Sequence, residues 1–331
     1  MGRLSRDKRD IFYRLAKEKG YRARSAFKLL QLDAEFDLFG LKSNGGLKVR
    51  RCVDLCAAPG SWSQVLADKL YDIKEELRKN AHDDGSDAPI PNDQGIYSIP
   101  DIVAIDLQPM APIDGVLTMQ GDITSIETAQ RVIEHFQGGR AELVVCDGAP
   151  DVTGLHDVDE YLQSQLLLAA MLITTHVLCD NGTFVAKIFR GPNIGFLYSQ
   201  LRLLFERVNI AKPSSSRNSS MESFVVCQKF KGAPYQNLPL DIGGYIDLQR
   251  MNPLIGSDVT NEQSFHDLDP SVVPFIACGD LSDWSYNGQV LDADKSYPID
   301  VEQYKPPIAP PINPPYNQSI ALQKQERRKM A

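Results

Sequence analysis

Several common signals are missing from these 331 residues, and each absence removes a class of protein. No apolar stretch approaches the ~20 residues a membrane-spanning helix requires, and no secretory signal is visible at the start. The six cysteines (Cys52, Cys56, Cys146, Cys179, Cys227, Cys278) include no C-x-x-C pair, and several lie in apolar runs. Reduced, buried thiols of an intracellular protein are therefore expected, rather than a disulfide framework or a zinc site. The five histidines are scattered, and His156 reads as structural or surface rather than as a ligand, so no metal is expected. The glycine pattern G-x-G-x-x-G is also absent, which argues against a pyrophosphate-binding NAD or FAD domain.

What is present is the composition of a soluble globular protein, 43% hydrophobic and 24% charged. The chain is long enough for one large domain or two. Its charge is unevenly spread: residues 1–28 hold ten Lys/Arg against three Asp/Glu, net +7, which leaves −15 on the other 303 residues of a chain totalling −8. A basic arm on an acidic body suggests a polyanionic partner met through one face; a merely solvated basic helix is the plain alternative. Asp7, Asp10 and Glu18 within this stretch argue against a mitochondrial presequence and for a retained arm.

Helical periodicity is read at 5–19, 24–36, 61 to about 77, 125–136, 158–178 and 194–206, and short apolar strands at 51–55, 101–106, 115–120, 143–147, 183–189, 207–212 and 223–229. In the 158–178 helix, Leu162, Leu166, Ala169, Ile173 and Val177 share one face. Strands alternating with helices predict an α/β fold of Rossmann-like type: a mostly parallel seven-stranded sheet, helices on both faces, and an antiparallel closing strand. Residues 78–100 are polar and turn-rich and read as a surface insertion. The domain is expected to span 1–230. Beyond it, 231–331 reads as an extended Pro-rich tail, with polyproline at 305–316, a basic end at 327–329, and a stretch at 271–276 apolar enough to dock.

Four charged residues occupy places where a buried chain should be apolar. Asp147 closes an apolar run, Lys187 interrupts another, Glu222 opens a third, and Lys28 follows a basic stretch. Buried charges are costly unless paired, and two cations with two anions cancel, so one shared site is the simple explanation. In a parallel sheet ligands sit beyond the carboxyl ends of the strands. Asp147 and Lys187 end neighbouring strands there, an antiparallel last strand brings Glu222, and the arm delivers Lys28. Such a set suits methyl transfer to an alcohol: Lys187 accepts the proton or polarises a ribose 2′-hydroxyl, Asp147 and Glu222 orient it, and Lys28 offsets their charge. Two carboxylates raise a lysine pKa whereas burial and Lys28 lower it, and the sequence leaves that balance open. A buried ion network serving stability alone is the competing reading.

The first strand runs into a tight turn, 57–60, and a helix start. Gly60 permits close backbone approach and the helix offers unsatisfied amides, which suits a nucleoside ligand without pyrophosphate, such as S-adenosylmethionine. Asp106 is placed to accept from ribose hydroxyls and Asp122 from an adenine amino group; each taken singly is as well explained as a cap of the next helix.

These stretches, 22–29, 54–64, 147–150, 185–187 and 215–222, together resemble the FtsJ-type ribose 2′-O-methyltransferases, with a Lys-Asp-Lys-Glu catalytic set. The resemblance implies that Lys28, Asp147, Lys187 and Glu222 are catalytic and that Gly60, Trp62, Asp106, Asp122 and Asp147 bind S-adenosylmethionine. Residues 5–10, 151–161 and 273–281 resemble the eukaryotic branch acting on the tRNA anticodon loop, at its first nucleotide or the wobble position. That branch implies tRNA as substrate and a cytoplasmic heterodimer with a large auxiliary subunit, of helical-repeat or WD-repeat type, that selects the nucleotide. Ribosomal RNA or an mRNA cap as substrate, and a non-catalytic RNA-binding subunit of the same fold, are the alternatives.

Overall fold

The computed structural model of the chain describes residues 10–40, 49–71, 101–150, 155–191, 194–232, 273–279, 285–286 and 289–297. The expected insertion at 78–100, the polyproline run, the basic end and residues 5–9 and 151–154 lie outside these.

Two helices open the described chain. α1 (Ile11–Glu18) starts where Asp10 accepts a hydrogen bond from the Tyr13 amide at 3.1 Å, an N-cap that satisfies one free donor, and it buries Ile11, Phe12 and Ala16. α2 (Ala26–Phe36) buries Ala26, Phe27, Leu29 and Leu32, and ends where Asp37 turns left-handed, φ 51°. Strand β1 (Arg51–Leu55) then leads through the 57–60 turn into α3, helical from 61 to the last described residue, 71.

The strands β2 (Asp101–Asp106), β3 (Val116–Gln120), β4 (Ala141–Cys146), β5 (Leu178–Phe189), β6 (Phe205–Pro213) and β7 (Glu222–Phe230) alternate with α4 (Ile126–His135), α5 (His156–Val177) and α6 (Ile194–Leu204). With a further strand β8 (Phe275–Cys278), their order is β3-β2-β1-β4-β5-β7-β6-β8, with β7 antiparallel to both β5 and β6 and the other described pairings of this sheet parallel. The mixed, mostly parallel α/β sheet expected from the sequence is thus present.

Three details depart from expectation. β8 (Phe275–Cys278), in the tail, adds an eighth strand, parallel to β6. Four residues remote from the other strands carry too little periodicity to be read in advance; the free edge of β6 supplies their pairing. β5 begins at 178 rather than 183, because Leu178 pairs with Ala141 before a register shift that places Asn181 at φ 61°. On α5, Leu166, Ala169, Ile173 and Val177 face the core as expected, but Leu162 is 39% exposed and Gln163 is buried in its place, its amide turned to the carbonyls of Gly148 and Lys187.

The sheet carries a core on each face. One includes Val53, Ile105, Val144 and Val225 with Ala170, Ile173 and Leu201 of α5 and α6. The other includes Cys52, Val145 and Phe224 with Leu29, Leu32, Trp62 and Leu66 of α2 and α3. A third, small cluster joins α1 and Phe27 to Leu291 and Ala293.

Candidate active site

Helix α3, following β1, packs on one face, and α5, following β4, on the other. Because β1 and β4 are neighbours, the chain diverges between their carboxyl ends and leaves a crevice, the usual ligand position in such sheets. Gly148, one residue beyond Asp147, keeps the two strand ends close: a Cβ there would lie 2.8 Å from Cys56 Sγ and from Leu166 Cδ2.

All four misplaced charges converge at this edge. β5 and β7 pair so that Phe189 faces Glu222 and Lys187 faces Phe224, and α2 lays Lys28 across them. Lys28 Nζ donates to Glu222 Oε2 at 2.8 Å and lies 2.7 Å from Oε1. Lys187 Nζ is 3.1 Å from Glu222 Oε2 and 3.4 Å from Asp147 Oδ1. The latter contact is a long ion pair, and among the described residues that buried Asp147 oxygen has no closer donor. Lys28 Nζ also sits 5.7 Å above the Phe224 ring, which Trp62 backs at 5.7 Å.

The electrostatics follow from this packing. Burial alone would raise the Glu222 carboxyl, but Lys28 and Lys187, with hydrogen bonds from Lys28 and Ser216, bring it down to about 2. Burial alone would lower the Lys187 ammonium, yet Asp147 and Glu222 outweigh it and hold Lys187 above its ordinary value. The balance left open by the sequence therefore falls to the carboxylates: in the free protein Lys187 is a cation.

On the other side of the crevice the expected ligand residues are shaped by local bonds. Gly60 has φ +101°, which favours glycine, and a Cβ there would lie 2.8 Å from Arg22 Nη1 and Ile113 Cδ1. Asp106 accepts from the Ala58 amide at 2.8 Å and from the Gln108 amide at 2.7 Å. Asp122 is exposed and accepts from the Thr124 amide and hydroxyl, while the Gly121 amide donates to the Asp106 carbonyl at 2.9 Å and so holds the two loops together. The Trp62 side chain is buried and its indole N–H donates to the Ser25 carbonyl at 2.9 Å; it supports α2 and the Phe224 ring. Among the described residues no group of three His, Cys, Asp or Glu side chains is placed to hold a metal ion.

Several contributors escaped sequence reasoning. Ser216 donates to Glu222 Oε1 at 2.8 Å. Gln163 ties Gly148 to Lys187 through their carbonyls, at 3.0 and 2.9 Å. Lys212 donates to the carbonyls of Ser220 and Glu222 at 2.7 and 3.3 Å. Asp54 is buried, accepts from Ser63 Oγ at 2.6 Å, and is pushed up to about 7 by burial and by the nearby Asp147 and Asp106 charges. A polar residue inside an apolar stretch was the available signal for Asp54; the serine-rich loop gave none that singled out Ser216.

A family profile described as FtsJ-like methyltransferase matches residues 21–230. The chain is 50% identical to the human tRNA (cytidine(32)/guanosine(34)-2′-O)-methyltransferase over 98% of its length and 86% of the relative. It is likewise 50% identical to the Schizosaccharomyces pombe protein of that description, over 94% of this chain and 95% of the other. An AdoMet-dependent rRNA methyltransferase of Pyricularia oryzae is 38% identical over 67% of this chain and 22% of its own length.

Proposed function

The chain belongs to the FtsJ-like methyltransferase family, and from that premise we propose that it methylates the 2′-hydroxyl of ribose in the tRNA anticodon loop. The methyl donor is S-adenosylmethionine, and the targets are cytidine 32 and guanosine 34, the nucleotides in the names of the human and fission-yeast relatives. One observation carries the chemistry: two lysines and two carboxylates from four distant segments meet beside the crevice, around Lys187 Nζ. A network kept for stability alone has no reason to open onto a ligand edge, since apolar replacement is often equally stable.

The crevice fits the donor. Gly60 and the amides opening α3, the Asp106 carboxylate and the Asp147 oxygen that lacks a close donor suit a ligand bearing hydroxyls, an amino group and positive charge. When bound, S-adenosylmethionine supplies an electrophilic methyl group on a sulfonium. This chain's residues do the rest. Lys187 Nζ takes the proton of the 2′-hydroxyl as its neutral amine, Asp147 and Glu222 fix that nitrogen in place, and Lys28 keeps Glu222 ionised. Orientation of the reactants supplies ~7–11 kcal/mol and a positioned base roughly 10²–10⁴-fold. A large auxiliary subunit selects the nucleotide, and the complex acts in the cytoplasm; no described helix is long and apolar enough to cross a membrane.

A ribosomal RNA substrate is the second reading, favoured by the Pyricularia relative, whose similarity covers only 67% of this chain. Ribose-methylation mapping of total RNA from cells lacking the chain separates them. Loss at tRNA positions 32 and 34 is expected, and loss confined to ribosomal RNA would overturn the assignment.

A further inference from the structure

The basic N-terminal arm reads, on charge alone, as an RNA-binding surface, but its described arginines, Arg14, Arg22 and Arg24, bond to groups of the protein itself. Arg24 bonds to Asp10 and to the Ser215 carbonyl, and Arg14 Nη2 donates to the Tyr297 carbonyl at 3.2 Å. Arg22 is committed most fully. Its Nη1 donates to the carbonyls of Pro59 at 3.0 Å and Ala111 at 2.8 Å, and its Nη2 to that of Pro112 at 2.7 Å. Its backbone amide donates to Gln64 Oε1 at 2.8 Å, and Gln64 Nε2 donates back to the Gly20 carbonyl at 3.1 Å. Pro59 belongs to the crevice turn, Ala111 and Pro112 to the segment joining β2 to β3, and Gln64 to α3. The guanidinium fits because Gly60 has no side chain: a Cβ there would come within 2.8 Å of Nη1.

We propose that Arg22 is a positioning residue that couples occupancy of the crevice to placement of Lys28, and that it is not a phosphate contact. The inference rests on reading the crevice as the S-adenosylmethionine site. Three of the five N–H groups of the guanidinium are given to carbonyls of the turn after β1 and of the segment joining β2 to β3, both on one flank of the crevice. Six residues further on, Lys28 reaches Glu222. Between them Ser25 is fixed to α3 twice, by a 2.6 Å contact of its hydroxyl with Ser61 Oγ and by the Trp62 indole donating to its carbonyl. A shift of the 57–60 turn on ligand binding is therefore transmitted to the arm, and a shift of the arm on RNA binding is transmitted back. Coupling between two binding sites is reciprocal, so each ligand tightens the other through this clamp.

The test uses the full chain with its native partner and measures S-adenosylhomocysteine affinity by calorimetry, with and without saturating tRNA, and tRNA affinity against salt. Binding of S-adenosylhomocysteine by the wild type checks the crevice reading separately; no binding at all would remove the crevice reading and the clamp with it. In Arg22→Lys, which keeps the charge but loses the planar fork, S-adenosylhomocysteine affinity should fall about tenfold and its enhancement by tRNA should vanish. The tRNA affinity and its salt slope, measured without cofactor, should stay as in the wild type. Gln64→Leu leaves the guanidinium intact, unpins residues 20–22, and should shift S-adenosylhomocysteine affinity in the same direction by a smaller factor; it also guards against a misfolded Arg22→Lys. In Arg22→Gln, which removes the charge, a fall in tRNA affinity with a salt slope reduced by about one, at unchanged S-adenosylhomocysteine affinity, would make Arg22 a phosphate contact and overturn the proposal. Wild-type values throughout would overturn it as well.

Discussion

The two flanks of the crevice are built on opposite principles. On the β1–β3 side the carboxylates of Asp106 and Asp122 accept from backbone amides in nearby loops, at least one partner lying only two residues away. On the β4–β7 side Lys28 and Glu222 are 194 residues apart in sequence and bonded at 2.8 Å, and both are buried. The first flank holds a shape; the second holds a charge distribution. A site that recognises a nucleoside by hydrogen bonds needs the former, and one that moves a proton needs the latter. Substitutions on the charged flank should therefore strike rate and stability together, and those on the hydrogen-bonded flank should strike ligand affinity or, by about 1 kcal/mol at most, stability, and leave the rate near wild type.

The largest expected effect is at Lys187. Lys187→Ala should lower methyl transfer by about 10²–10⁴-fold while leaving S-adenosylhomocysteine affinity close to wild type. Single-turnover methylation and calorimetry measure the two, and unchanged methylation would remove Lys187 from the chemistry. Next comes Glu222→Ala, which leaves Lys28 and Lys187 without their shared carboxylate. Denaturant unfolding should register a loss of about 3–5 kcal/mol, larger than for Glu222→Gln, which keeps an acceptor.

pH separates the flanks further. Because Asp147 and Glu222 hold Lys187 above its ordinary value, the neutral amine is a minor species near pH 7. The single-turnover rate should rise about tenfold per pH unit from 6 to 9 without a plateau; a flat profile would recast Lys187 as an orienting cation. Glu222 acts at the acid end. Its folded value, about 2, lies below its ordinary value of 4.5, so its contribution to stability is complete above pH 4.5 and is lost as pH falls towards 2. The stability gap between wild type and Glu222→Gln, followed by acid titration, should close over that interval.

Smaller effects belong to the hydrogen-bonded flank. Asp106→Asn should weaken S-adenosylhomocysteine binding about tenfold, the scale of one charge-assisted hydrogen bond, with a maximal rate near wild type. Smallest is Asp122→Ala, which removes the acceptor for Thr124 and should cost about 1 kcal/mol or less in thermal unfolding. A rate collapse at either aspartate would break the division between the flanks.

Most of the sheet was legible because each strand is a short apolar run bounded by turn residues, and the run 101–106 coincides with β2 end to end. The four charges were legible for the complementary reason: each violates the pattern around it. β8 was not, since its pairing depends on which edge β6 leaves free. Ser216 was not, since a hydroxyl in a serine-rich loop announces no partner. The arm was half legible: its charge was visible, its direction was not.

The sequence by itself determined the order of strands and helices, the glycine turn at the end of β1 and the identity of the four misplaced charges, because periodicity and its violations are local properties of the chain. Only the tertiary structure decided that Lys187 rests as a cation, that Gln163 and Ser216 brace the cluster, and that Arg22 turns to three carbonyls. Those outcomes depend on distances between segments up to 194 residues apart and on the competition there between burial and the field of opposite charges.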